Sequence, residues 1–150
     1  MNKVAVYTSI YGDKDTLKDP LIVNKDFDYI CFTDNKNIKS NVWKIVHKDS
    51  THQDPVRSAK VFKIKPHEYL QDYEISLWVD ANFIIKNDLK SFFDKSQYLK
   101  NANMLLFEHD QGRNCIYDEA EVISFTKKDD PEIVNKQMQR YKDDKYPEQR

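Results

Sequence analysis

The chain has 150 residues, of which 39% are hydrophobic and 13% aromatic, so it can bury enough apolar surface to fold as about one domain. Its 24 basic and 25 acidic residues give a net charge of −1, which disfavours a dedicated nucleic-acid binder or a protein that adheres to anionic membranes. No apolar run approaches the roughly 20 residues of a membrane-spanning helix, and the apolar segment near the N-terminus is too short for a signal peptide, so we expect a cytoplasmic protein.

The first half of the chain alternates strand and helix signals. Apolar, β-rich segments predict three strands, over residues 3–10, 28–33 and 42–46. Asp54 followed by Pro55 is a helix-start signal, because aspartate caps the first turn and proline fits its first position. That helix is expected over residues 56–65, where Pro66 ends or kinks it. A short helical turn is expected within residues 67–73.

The second half of the chain continues the alternation. Residues 75–80 are predicted to form the central strand, and a short helix is expected over residues 88–95. A further strand is predicted over residues 103–108, and a helix over residues 117–125. Asp130 and Pro131 open a last helix, which would present Val134, Met138 and Tyr141 on one face. The whole pattern predicts an α/β fold with a mostly parallel central sheet flanked by helices.

A parallel sheet of this kind binds ligands outside the carboxyl ends of its strands. The residues that follow the predicted strands are polar or conformationally special, and they cover residues 9–12, 33–35, 80–82 and 109–114. We therefore expect these segments to meet at one edge of the sheet.

Asp80 and Asn82 are the candidate metal ligands. Positions two apart in an extended chain point to the same side, so a carboxylate and an amide oxygen could share one hard cation. Mg²⁺ or Mn²⁺ would accept two protein oxygens and complete its coordination with water and substrate phosphates. The alternative is that Asp80 caps a turn and Asn82 is an ordinary turn residue.

Three further features could contribute to a nucleotide-binding site. Arg57 and Lys60 lie three apart on the predicted helix and so share a face that could contact ribose or phosphate, or could simply be solvated. Asp34 could accept hydrogen bonds from a uracil or a ribose, or act as a turn aspartate. Gly12 lets the backbone approach a ligand closely, although a lone glycine does not make a phosphate loop. P-loop and dinucleotide-binding motifs are absent from the sequence.

His109 and Arg113 follow the strand predicted over residues 103–108. They could contact a phosphate or an acceptor, and the alternative is a surface or capping role. The histidines show no metal-ligand spacing to one another.

Several segments are familiar in their order along the chain: residues 7–12, 28–34, 54–60, 63–67, 76–82 and 109–120. Together they resemble the glycosyltransferase-like family of DUF616 domains, and the resemblance spans nearly the whole chain. Its most specific pieces are the Trp-Val-Asp-Ala-Asn run of residues 78–82 and the Arg-x-x-Lys pair Arg57 and Lys60.

That family resembles GT-A glycosyltransferases, which hold a nucleotide-sugar and manganese around an Asp-x-Asp motif. The resemblance implies that Asp80 and Asn82 stand at this motif and bind Mn²⁺ or Mg²⁺. It also implies a nucleotide-binding set that, with the glycine noted above, consists of Thr8, Ser9, Tyr11, Gly12, Asp34, Arg57 and Lys60.

The function implied is a metal-dependent glycosyltransferase of hexosyltransferase type, with a UDP-sugar as the favoured donor and a glycan, lipid or protein acceptor. Two departures favour an alternative. Asn82 is neutral, which should weaken metal affinity, and the chain stops at Arg150, earlier than a GT-A domain is expected to. The alternative is a non-catalytic nucleotide-sugar-binding module, or a half-domain that needs a partner. A third hypothesis is a structural α/β domain whose strand-end residues only form turns.

Overall fold

A computed structural model describes residues 3–95, 102–107, 112–113 and 115–147. The chain divides into two compact units, residues 1–100 and residues 101–150. The expectation of a single domain over residues 1–150 stays a prediction.

The first unit is built on four parallel strands: β1 (Val4–Ile10), β2 (Phe27–Thr33), β3 (Lys44–His47) and β4 (Ile75–Trp78). Their order in the sheet is β3-β2-β1-β4, and every neighbouring pair is parallel, as the alternating pattern predicted. The expectation that residues 75–80 form the central strand is wrong, because β4 lies at one edge of the described sheet. The centre belongs to β1, whose seven residues are all buried.

The sheet carries a hydrophobic core on each face, because successive side chains of β1 point in opposite directions. On one face Tyr7 belongs to a cluster that includes Phe62. On the other face Val6 and Ile10 belong to a cluster that includes Trp43. The buried run of β1 is therefore apolar at nearly every position rather than at alternate ones.

Three helices follow in the first unit: α1 (Pro55–Ile64), α2 (Pro66–Tyr69) and α3 (Lys90–Lys95). The α1 helix begins where the Asp-Pro pair predicted, since Asp54 accepts a hydrogen bond from the backbone nitrogen of Val56 at 2.9 Å. Phe62 attaches α1 to the sheet by stacking on Phe32 at a centroid distance of 4.5 Å. This packing sets one face of α1 beside the carboxyl end of β1.

The second unit contains α4 (Ile116–Phe125) and α5 (Pro131–Asp143). Asp130 caps α5, as expected, and Val134 is buried while Met138 is half-buried on the same face. The strand predicted over residues 103–108 is wrong for residues 103–107, and Glu108 lies outside the described residues. The apolar side chains of that segment, such as Phe107, are exposed, and a strand forms only where a neighbouring strand pairs with its backbone.

No helix within the described part of the chain is long and apolar enough to cross a membrane.

Candidate functional site

The first unit has a pocket of about 260 Å³ where α1 passes the carboxyl ends of β1 and β4. Its polar lining consists of Ser9, Asp15, Lys60, Lys63, Asp80 and Asn82. Four of these side chains were singled out from the sequence: Ser9, Lys60, Asp80 and Asn82. The pocket also lies where the ligand rule for parallel sheets expects a site.

Asp80 and Asn82 reach this pocket by a route that differs from the expected extended chain. The last strand residue of β4 is Trp78, and Val79 still donates from its backbone nitrogen to the carbonyl of Tyr7 at 3.0 Å. The chain then turns, and the nitrogen of Phe83 donates to the carbonyl of Asp80 at 2.9 Å. The alternation of an extended strand therefore does not explain why both residues line the pocket. Both residues line the pocket because the turn from Asp80 to Phe83 lies at the edge of the pocket.

The carboxylate of Asp80 has two donors. Trp78 Nε1 donates to Oδ1 at 2.7 Å, and the Nζ atom of Lys63 lies 3.3 Å from the same oxygen. The side chains of Lys63 and Asp80 are 49% and 50% exposed, so this ion pair faces solvent and contributes little to stability. Lys63 also lies over the Trp78 ring, 5.3 Å from its centre, so its ammonium group has two neighbours in the pocket.

The Trp78 side chain anchors that group of residues to the sheet. Its ring packs edge-on against Tyr7, with 5.3 Å between the ring centroids. Tyr7 is buried in β1, and burial raises the pKa of its hydroxyl to about 12, so it stays neutral under ordinary conditions. Asp80 is thus held by a hydrogen bond from Trp78, whose ring packs on the buried strand β1.

The helix α1 supplies the positive charge of the pocket. Lys60 and Lys63 lie three residues apart, so they project from one face of the helix, and both line the pocket. Arg57 is one turn earlier but is not among the lining residues. Its Nε atom lies 3.7 Å from the carboxylate of Asp54, the residue that caps the helix.

The two β1 residues in the proposed nucleotide-binding set, Thr8 and Ser9, have different surroundings. Ser9 lines the pocket, and its hydroxyl donates to the carbonyl of Ala59 at 2.9 Å, which ties β1 to α1. Thr8 is 1% exposed, and its hydroxyl has no partner in the described part of the chain. Thr8 points to the opposite face of the sheet from Ser9, because successive side chains of a strand alternate. Thr8 is not among the lining residues of the pocket, and a nucleotide contact by Thr8 stays a prediction.

Tyr11 is buried in the core between β1 and α1. Its hydroxyl donates to the carbonyl of Lys48 at 3.1 Å, and its ring stacks on Phe62 at a centroid distance of 5.7 Å. Burial, with the nearby carboxylate of Asp34, raises the pKa of the hydroxyl well above its usual range. Tyr11 therefore has a structural role of its own, and its assignment to the nucleotide stays a prediction.

Gly12 and Asp34 form a turn cluster at the carboxyl ends of β1 and β2. The backbone nitrogen of Gly12 donates to Oδ1 of Asp34 at 3.3 Å, and the side chains of Asp13 and Asn35 are hydrogen bonded to each other. Asp34 is exposed and is not among the lining residues of the pocket. The contact matches the turn interpretation of Asp34, and recognition of a base or ribose stays a prediction.

The remaining site candidates lie in the second half of the chain. His109 is outside the described residues. Arg113 belongs to the second unit, where its Nη1 atom lies 2.7 Å from Glu119 Oε2 and its side chain is only 13% exposed. A phosphate or acceptor contact by His109 or Arg113 stays a prediction.

Three lining residues whose side chains can form hydrogen bonds are not among the predicted site residues: Asp15, Lys63 and Trp78. Lys63 had a usable signal, because it follows Lys60 by the same three-residue step that separates Lys60 from Arg57. Trp78 belongs to the Trp-Val-Asp-Ala-Asn run that carries the family resemblance, but the sequence predicts no role for it in the site. Asp15 lies in the loop after β1, where no spacing marks it.

The donor set of the pocket can be compared with what a divalent cation requires. No group of three or more His, Cys, Asp or Glu side chains in the described ranges could hold a metal by itself. Asp80 Oδ2 has no partner among those residues, and Asn82 offers an amide oxygen on the same pocket wall. Hard oxygen donors of this kind fit a Mg²⁺ or Mn²⁺ ion that takes its other ligands from water and phosphate. They do not fit a closed site built from protein alone.

The parallel sheet, its flanking helices and the polar pocket at the strand ends are those of a GT-A-like α/β protein. The family model of the TOD1/MUCI70 glycosyltransferase-like domain matches residues 1–148, and the chain belongs to this family. No curated protein and no solved structure matches the chain.

Proposed function

We propose that the chain is a metal-dependent glycosyltransferase that binds a nucleotide-sugar donor in the pocket between α1 and the ends of β1 and β4. The observation that carries this proposal is the convergence of Lys60, Asp80 and Asn82 on one pocket. These residues come from a helix and from a turn 20 residues further on, and each had been singled out for phosphate or metal chemistry. Membership of a glycosyltransferase-like family supports the same assignment.

The charges of the pocket support a diphosphate bound together with a cation. Two lysines and two aspartates line it, so the pocket by itself has no net charge. A diphosphate would bring at least two negative charges into this neutral environment. A divalent ion on Asp80 and Asn82 would balance them, which explains how so small a ligand set can be useful.

The residues would then act on the bond between the sugar and the diphosphate. When bound, the metal would stabilise the negative charge that develops on the departing nucleotide. Lys60 would donate to the phosphates from the α1 side of the pocket, where a preorganised cation stabilises developing charge most effectively. Ser9, which already ties β1 to α1, would keep that helix at a fixed distance from the strand ends. A UDP-sugar is the donor we favour, and the acceptor is a glycan, lipid or protein.

A non-catalytic nucleotide-sugar-binding module is the second candidate. The observation in its favour is that Lys63 already pairs with Asp80, so the carboxylate is less available to a metal than an isolated aspartate would be. Such a module would bind the same donors without breaking them.

The test is a thermal shift series with UDP, UDP-sugars and GDP-sugars, with and without Mn²⁺, on wild type and Asp80→Ala. The proposal expects a nucleotide shift that requires Mn²⁺ and is lost in Asp80→Ala. Asp72→Ala is the matched control, because Asp72 is an exposed aspartate of the same unit that does not line the pocket. An absence of any shift at millimolar nucleotide would contradict both candidates. Release of UDP from a UDP-sugar by wild type would then support the enzyme over the module.

A further inference from the structure

The ion pair between Lys63 and Asp80 is partly exposed to solvent, whereas an ion pair that neutralises a buried charge would lie in the interior. Both side chains are about half exposed and line the pocket, so neither is required to neutralise a buried charge. An exposed pair of this kind is weak and can separate at little cost. The ammonium group has three donors, and Asp80 Oδ1 takes one of them.

Lys63 nevertheless has two neighbours that favour one position of its ammonium group. The Nζ atom lies 3.3 Å from the carboxylate of Asp80 and over the Trp78 ring, 5.3 Å from its centre. Trp78 is itself fixed by its hydrogen bond to Asp80 and by its packing on Tyr7. A lysine held in this way loses less side-chain entropy on binding an anion than a free surface lysine does.

We propose that Lys63 is a diphosphate-binding residue that Asp80 holds in the pocket until a metal–nucleotide complex arrives. The ammonium group then moves from the carboxylate to the phosphates, and the carboxylate becomes free for the metal. This inference rests on the proposed function, since it assigns a further residue to the same donor site. It predicts that Lys63 competes with a metal for Asp80 and cooperates with it once the diphosphate is present.

Removing the charge of Lys63 should change the affinities for Mn²⁺ and for UDP in opposite directions. A merely structural role for Lys63 would not produce this result. Removing the charge of Lys63 takes a cation away from the metal ligand, so Mn²⁺ alone should bind about threefold more tightly. The same change removes a charge-assisted hydrogen bond to phosphate, so UDP in the presence of Mn²⁺ should bind about tenfold more weakly.

The experiment measures Mn²⁺ binding by water-proton relaxation, and UDP binding in saturating Mn²⁺ by calorimetry, on the whole chain. The variant is Lys63→Met, which removes the charge while keeping an unbranched side chain of nearly the same length and a similar helix propensity. Lys65→Met is the matched control: Lys65 lies two residues away, is 53% exposed and also forms an ion pair, with Glu68 at 3.0 Å, but does not line the pocket. Both constants of Lys65→Met should stay within twofold of wild type. Lys63→Arg, which keeps the charge, should return both constants towards wild type.

Changes of the same sign for Mn²⁺ and UDP in Lys63→Met, or no change in either, would overturn the role of Lys63. If wild type still bound UDP with Mn²⁺, the proposed function would survive that result. An absence of UDP binding by wild type in Mn²⁺ would overturn the proposed function and this inference together.

Discussion

Pro55 lies so close to Gly12 that a Cβ atom on the glycine would fall 2.6 Å from the proline Cγ. Gly12 also has a φ of +61°, in the left-handed region that side chains disfavour. The contact joins the turn after β1 to the first residue of α1, and both α1 and the end of β1 border the pocket. Gly12 is therefore needed for close packing as well as for its backbone conformation.

Replacement of Gly12 by alanine should destabilise the protein by about 2 kcal/mol or more, since it adds a steric overlap to the backbone strain. Urea unfolding measures the change. Gly112→Ala is a control that isolates the strain, because Gly112 has a φ of +66° but no described atom within 4 Å of an added Cβ. Its cost should be about 1 kcal/mol. Equal costs at the two glycines would show that Pro55 yields and that the contact is not restrictive.

Thr8→Val should stabilise the protein by about 1 kcal/mol, because it replaces a buried hydroxyl that has no described hydrogen-bond partner with a methyl group of similar size. Thr33→Val is the matched control. Thr33 is equally buried, but its hydroxyl oxygen accepts a hydrogen bond from the nitrogen of Asn35 at 3.0 Å, so its loss should destabilise by a similar amount. Weaker UDP binding by Thr8→Val would instead support the nucleotide contact that the family resemblance implied.

Asn82→Asp should tighten the binding of Mn²⁺ about tenfold, because a second carboxylate adds charge to the pair of metal ligands. Titration of Mn²⁺ alone by water-proton relaxation measures this change. Asn87→Asp adds the same charge at an exposed position outside the pocket and should leave the affinity within twofold of wild type. Unchanged Mn²⁺ binding by Asn82→Asp would remove Asn82 from the metal site.

The stability of the protein should fall above about pH 9. Burial raises the pKa of the Cys31 thiol from 9.0 to about 12, and that of the Tyr7 hydroxyl from 10.0 to about 12. Folding keeps these groups protonated, so their contribution is complete below pH 9 and is lost as the pH rises towards 12. Cys31 alone should account for about 1.4 kcal/mol of the loss between pH 8 and pH 10. Urea unfolding across this range should show a shallower decline in Cys31→Ala. An unchanged decline would contradict the assignment to Cys31.

The sequence predicted the elements whose signals are local. The apolar run of β1 and the Asp54-Pro55 start of α1 both depend on neighbouring residues, and the structure agrees with both. The edge position of β4 could not be predicted from local signals, because it depends on which strands pair with one another. The strand expected near Phe107 failed for the same reason, since an apolar segment becomes a strand only with a partner.

The candidate site was predictable to a similar extent. The rule for parallel sheets brought Ser9, Asp80 and Asn82 to one edge, and the three-residue step on α1 pointed to Lys60. The contact between Lys63 and Asp80 joins residues 17 positions apart on two elements, so no spacing in the sequence encodes it. The burial of Tyr11 likewise follows from how α1 packs on β1, and the burial of Thr8 from the residues that cover the opposite face of the sheet, rather than from their residue types.

The most direct test of the donor site is an anomalous difference map from a crystal of this chain grown with Mn²⁺ and UDP. We expect a manganese peak within about 2.2 Å of an Asp80 carboxylate oxygen, with the diphosphate of UDP between that ion and Lys60. Manganese and UDP bound together at a different place, with the pocket beside Asp80 containing only water, would contradict the account.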